Sequence, residues 1–186
     1  MKKSILRSIK PYWVYLILKG IKTVEVGKQK PKSLDWDGRV FIYCSKDKKS
    51  FNQIPEEDRE WFKQYLGKVV AVFDCNTIQE DNLYMTRYQE SFYQKACLSH
   101  TQVKEYGQGK TLYGWHISNL IIFDKPKALN QLRTYCFGGC DNCEYQSWDY
   151  SYAGGKDLIC TVRYEKPIER PPQSYCFIIP LEKITI

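Results

Sequence analysis

The chain has 186 residues, 43% of them hydrophobic, 26% charged and 15% aromatic, which suits one globular domain with a core of its own and excludes a disordered tail, a collagen or a coiled coil. No apolar run approaches the ~20 residues of a membrane span, and Met1-Lys2-Lys3-Ser4-Ile5-Leu6-Arg7 has no long apolar stretch behind its basic residues, so neither a transmembrane segment nor a secretory signal is expected. The net charge of +7 is uneven: residues 1–50 hold 13 Lys and Arg against 4 Asp and Glu, whereas residues 51–186 hold 15 against 17.

In chain order, Ser4–Arg7 reads as a short strand, and Pro11 opens a helix whose Tyr12, Trp13, Leu16 and Ile17 fall at helical spacing. Lys19 and Gly20 end that helix. Thr23–Val26 alternates as a strand, 31–38 is a polar loop, and 39–45 is a strand. Pro55-Glu56-Glu57-Asp58 opens a second helix with acids in its positive first turn. Residues 68–75 form a near-continuous apolar strand, hence a central one, and 80–106 is read as one or two helices. Strands follow at 113–117 and 120–123, a short helix at 126–132, a Cys- and Tyr-rich segment at about 134–165, a Pro171-Pro172 turn, and a closing strand at 174–179. There is no series of βαβ units and no glycine-rich phosphate loop. The expected class is therefore α+β: a small mixed or antiparallel barrel with peripheral helices, one domain over 1–186, and a Cys-rich insert before the last strand.

The basic quarter is centred on Lys19, Lys22, Lys28, Lys30, Lys32 and Arg39, interleaved with Tyr12, Trp13, Tyr15 and Trp36. Clustered cations with aromatics among them suit a phosphate-rich partner whose bases can stack; a solvated, solubilising surface is the plainer alternative. Within it, Gly20-Ile21-Lys22-Thr23-Val24-Glu25 follows a helix and enters a strand. In a regular strand Lys22 and Glu25 would face opposite ways, so a bend near Thr23 is needed to bring both into one cleft.

The stretch from Ser8-Ile9-Lys10-Pro11 to Gly20-Ile21-Lys22-Thr23-Val24-Glu25 resembles the opening of the ASCH domain family, within the PUA-like superfamily of small β-barrels. The family signature, Gly-x-Lys-x-x-Glu-x-Arg, is matched at Gly20, Lys22 and Glu25; Gly27 stands where it has Arg, with Lys28 beside it. Gly114-Trp115-His116-Ile117 and Pro171-Pro172-Gln173-Ser174 look like ASCH proteins of phages and prophages. The resemblance implies a protein that binds RNA or a modified nucleotide in a cleft at Gly20, Lys22, Thr23 and Glu25; the basic quarter adds Lys28 and Arg39 as further ligand contacts, and cysteines read as free thiols make a reducing, cytoplasmic compartment the simplest expectation. One branch of the family deacetylates N4-acetylcytidine with a Lys at the position of Lys22, a Thr at that of Glu25 and a later Glu, for which Glu90 lies nearby. An amidohydrolase using Lys22 and Glu25 is thus the enzymatic alternative, and a phage or host protein-interaction module the third. A Lys–Glu pair suits ligand holding better than catalysis, because the carboxylate stabilises the ammonium that a catalytic base would have to lose.

Eight cysteines need not mean disulfides in a chain that can build its own core. Cys44 and Cys75 lie in apolar runs and read as small buried hydrophobes. Cys136, Cys140 and Cys143, with Cys160 as a fourth ligand, have a spacing that suits a structural zinc stapling a long loop; free thiols are the alternative. The triplet also matches the cluster-binding spacing of radical S-adenosylmethionine enzymes, but only 43 residues follow it, too few for their large barrel. Neither His100 nor His116 belongs to a catalytic triad pattern, and Trp115 reads as core. After the Pro-Pro turn, Gln173 and Ser174 are placed to line the cleft or to cap the turn.

Overall fold

Strand β1 (Lys3–Ile9) and helix α1 (Pro11–Leu18) begin the fold, followed by β2 (Val24–Gly27) and β3 (Trp36–Cys44). The computed structural model describes residues 2–31, 36–81, 86–135, 146–150, 156–160 and 165–181, with backbone alone at 81, 86–90, 135, 146–150 and 156–160. Helices α2 (Lys48–Phe51) and α3 (Glu56–Phe62) precede β4 (Val69–Asp74) and β5 (Ile78–Asp81). Next come α4 (Thr86–Ala96), α5 (His100–Gly107), β6 (Leu112–His116), β7 (Ser118–Lys127) and β8 (Arg133–Tyr135). The last strands are β9 (Gln146–Tyr150), β10 (Lys156–Cys160), β11 (Glu165–Pro167) and β12 (Tyr175–Ile178).

Five strands form one sheet in the order β12-β1-β3-β4-β7, in which only β1 and β3 run parallel. A second sheet, β2-β6-β5, is antiparallel. The pairs β9–β10 and β8–β11 are two-stranded ribbons.

The strand period of two sorts the central sheet into two buried faces. Ile5, Ile9, Val40, Ile42 and Phe73 point to one side, where α1, α3 and Trp115 cover them. Leu6, Phe41, Val72, Phe123 and Ile178 point to the other. Burial on both faces explains the near-continuous apolar runs of β3 and β4. Val24 and Val26 turn outwards onto Phe92, Ala96 and Val103 of α4 and α5, which leaves Glu25 on the inner face of the second sheet, opposite Trp115 of β6.

The class is α+β, as expected, but the described strands make separate sheets and not one closed barrel. The chain passes between the sheets at corners. Residues 75–77 carry β4 into β5, and Ile117 joins β6 to β7, its N–H donating to Thr23 C=O at 2.9 Å. The helix expected at 126–132 shrinks to a 3-10 turn at Leu129–Gln131. Strand β7 runs on through Pro126; among the described residues β7 is the edge strand of its sheet, a position that tolerates a proline. The stretch 80–106, read as one or two helices, does hold two, but β5 runs into its start, and Ile78 of that strand pairs with Trp115. The cysteine loop positions Cys136, Cys140 and Cys143 lie outside the described residues, as do the side chains of Cys160 and Glu90.

Candidate nucleotide-binding cleft

The end of α1 sets the first side chain. Gly20 takes φ +73°, a left-handed turn that costs glycine little, and the chain folds back so that the N–H groups of Ile21 and Lys22 both donate to Leu16 C=O, at 2.9 and 3.1 Å. Thr23 N–H then donates to Lys95 C=O at 2.9 Å. This is the bend that the sequence required. It turns Lys22 inwards before β2 begins, and Glu25 follows on the inner face of β2.

Lys22 is 2% exposed. Its Nζ donates to Ala96 C=O at 2.6 Å, at the C-terminal and therefore negative end of α4, and lies 3.5 Å from Glu25 Oε2 and 5.1 Å from the centre of the Trp13 ring. Burial pushes the Lys22 pKa below its usual value, and Glu25 opposes that shift.

A second cation enters from β1. Arg7 shares a strand face with Ile5 and Ile9, yet it is a buried charge, 3% exposed. Its Nη2 donates to Val26 C=O at 3.1 Å, its guanidinium lies 4.8 Å from the centre of the Trp115 ring, and its Nε is 3.6 Å from Glu25 Oε1. Glu25 thus stands between two buried cations. The position of the signature arginine is Gly27, and a Cβ there would collide with the Arg7 guanidinium.

These three charges face a cleft of about 800 Å³. Trp13 and Tyr106 form parts of its walls, Lys10 and Lys28 its basic rim, and residues 171–174 close one side. That segment is fastened to β1 by Ser8 N–H donating to Ser174 C=O at 3.1 Å. Lys28 Nζ sits 4.9 Å from the centre of the Tyr106 ring.

No protein-family model matches the chain. Among solved structures it is similar to a serine-to-alanine variant of the ASCH protein from Zymomonas mobilis, with a TM-score of 0.50 at 19% identity over 70% of this chain and 77% of that one. The chain has an ASCH fold. The unsubstituted Zymomonas mobilis ASCH protein matches with a TM-score of 0.49 at 20% identity, over 69% of this chain and 76% of that one. A tyrosine-to-phenylalanine variant gives 0.49 and 20%, over 70% and 78%.

Within this ASCH fold the residues singled out from sequence separate. Lys22, Glu25 and Lys28 line the cleft, as do Gln173 and Ser174. Gly20 shapes the turn but does not line it, and Thr23 is exposed beyond it. Arg39 is tied to Asp37, with Nη2 at 2.8 Å from Oδ2, and lies away from the cleft on β3. His116 Nε2 is 3.2 Å from Gln79 Oε1, a contact within the second sheet. Trp115 is core, as read. Tyr175 and Cys176 pack against opposite faces of the central sheet. Among the described residues no group of His, Cys, Asp and Glu is placed to hold a metal ion, and no helix is long and apolar enough to cross a membrane. Arg7 is the residue that the sequence reading missed. Its signal was a charge at the middle of an Ile5-x-Arg7-x-Ile9 alternation, where strand period demands an apolar side chain.

Proposed function

We propose that the cleft binds RNA or a nucleotide-like ligand. The observation that carries this reading is the pairing of two buried cations, Arg7 and Lys22, with the aromatic side chains of Trp13 and Tyr106 in one cavity of nucleotide-accommodating size. Cations meet phosphate, rings meet bases, and Glu25 accepts from an exocyclic amine or holds the cations in register. The basic rim at Lys10 and Lys28 extends the same preference outwards.

A hydrolytic role for Lys22 is the weaker reading. Burial lowers its pKa, which favours a base or nucleophile, but Glu25 and the Ala96 carbonyl both stabilise the ammonium. Holding a ligand asks nothing further of that arrangement.

Binding of a fluorescent single-stranded oligoribonucleotide, measured against salt, tests the proposal. The logarithm of the affinity is expected to fall linearly with log salt, with a slope of about −0.7 per phosphate neutralised. Lys22→Met, which keeps volume but removes charge, is expected to weaken binding. No detectable affinity at low salt would refute the nucleotide reading. Turnover of an acylated cytidine that disappears in Lys22→Met would favour the hydrolase.

A further inference from the structure

We propose that Arg7 is the anion receptor of the cleft and that it takes a singly charged group, the phosphodiester link of a nucleotide chain. This builds on the nucleotide reading of the cleft and names the part of the ligand that its floor recognises.

The first observation is an unfinished set of hydrogen bonds. Of the Arg7 guanidinium, Nη2 is bonded to Val26 C=O, but Nε and Nη1 are buried without a hydrogen-bond partner among the described residues. The 3.6 Å to Glu25 is an ion-pair distance, too long for a hydrogen bond. A buried charged donor left unbonded is costly, so such donors are normally bonded to something. Ser45 Oγ is likewise buried and unpartnered, and both residues line the same cleft.

The second observation is charge. Arg7, Lys22 and Glu25 are all buried, and together they leave one positive charge uncompensated. Asp47 also lines the cleft, but its carboxylate is engaged in capping α2, with Oδ1 accepting from Ser50 N–H at 2.6 Å. A monoanion would neutralise the buried surplus, whereas a dianion would overshoot it. Nε and Nη1 lie on different edges of the planar guanidinium, so each offers a charge-assisted hydrogen bond to an anionic oxygen. The walls decide between phosphodiester and carboxylate: Trp13 and Tyr106 beside the anion, with a basic rim beyond, match a chain of alternating charge and aromatic rings. Room for the guanidinium comes from Gly27, where any Cβ would displace it.

Dimethyl phosphate, a monoanion at every working pH, is the probe. Titrated into the protein and followed by the Arg Nε–H signals in NMR and by melting temperature, it should bind the native chain and shift one buried Arg resonance. Arg7→Met should weaken that binding about ten- to a hundredfold, the range of a lost charge-assisted hydrogen bond. Glu25→Gln should tighten it, because the buried surplus then doubles. Acetate and dianionic phosphate at alkaline pH should bind more weakly than dimethyl phosphate. Should Arg7→Met not fold, Glu25→Gln and the Arg7 resonance of the native chain still decide. Absence of a dimethyl phosphate response, unchanged affinity in Arg7→Met, weaker affinity in Glu25→Gln, or equal binding of acetate would each overturn the assignment. Oligoribonucleotide binding is scored separately. If dimethyl phosphate titrates Arg7 but RNA does not bind, the nucleotide reading falls and the anion site stands; if RNA binds equally to native chain and Arg7→Met, the reverse holds.

Discussion

Arg7 and Gly27 share one space. The guanidinium of Arg7, on β1, fills the volume that a side chain at position 27 of β2 would need, although the two strands belong to different sheets. Gly27→Ala is therefore expected to destabilise the fold by about 1–3 kcal/mol, the usual cost of overpacking. In an Arg7→Ala background most of that cost should vanish, giving a coupling energy of about 0.5–3 kcal/mol. Urea denaturation of the four proteins measures it. Additive effects would show that the two positions do not compete.

The protonation of Lys22 gives a pH signature. Burial lowers its pKa from the ordinary 10.5, so its ammonium is lost earlier than that of an exposed lysine. RNA affinity should fall as pH rises through that lowered value, while Lys22→Met should lack this component. For folding the sign is opposite. Between the lowered value and 10.5 the unfolded chain holds a proton that the folded chain has released, so this group's contribution to stability rises with pH. A binding profile identical in native and Lys22→Met proteins would contradict the assignment.

The core thiols act the other way. Burial pushes Cys44 from 9.0 up to about 12 and Cys75 up to about 11. Their contributions are present in full below pH 9 and are lost as pH rises towards those values, because the unfolded chain ionises first. Stability measured by urea melts should decline above pH 9, and Cys44→Ala should flatten the decline even though it lowers stability at neutral pH.

Trp13 lines the cleft, tilted against Tyr12 at a ring separation of 5.0 Å, and under the proposed function it is the surface on which a base stacks. Trp13→Ala should weaken single-stranded RNA binding by about 1–3 kcal/mol, and Trp13→Phe by less. Salt dependence should stay nearly unchanged in both, since no phosphate contact is removed. A loss of salt slope would mean that Trp13 acts by positioning Lys22.

Much of this was legible from the residues. Pro11 and Gly20 bound α1, the acids at 56–58 open α3, and the apolar run at 69–73 announces a central strand. Lys22 and Glu25 were readable because a glycine-terminated helix must turn before it enters β2. Other features depend on what lies across space. Arg39 looked like part of a basic patch, but Asp37 two residues away on the same strand holds it. Pro126 read as a helix start, and the edge position of β7 overrode it. Arg7 stood in the middle of an apolar alternation, yet its meaning depends on Glu25, Val26 and Gly27 from a different sheet, and no local pattern shows that meeting.

The central claim is that nucleic acid enters the Arg7–Lys22 cleft, and ultraviolet crosslinking of a single-stranded oligoribonucleotide followed by peptide mass spectrometry tests it most directly. Trp61 is 42% exposed on α3, away from the cleft, and serves as an internal control. Adducts at Trp13 or Tyr106, suppressed by excess unlabelled RNA and reduced in Lys22→Met, are the predicted result. Adducts confined to Trp61, with the cleft aromatics unmodified, would contradict it.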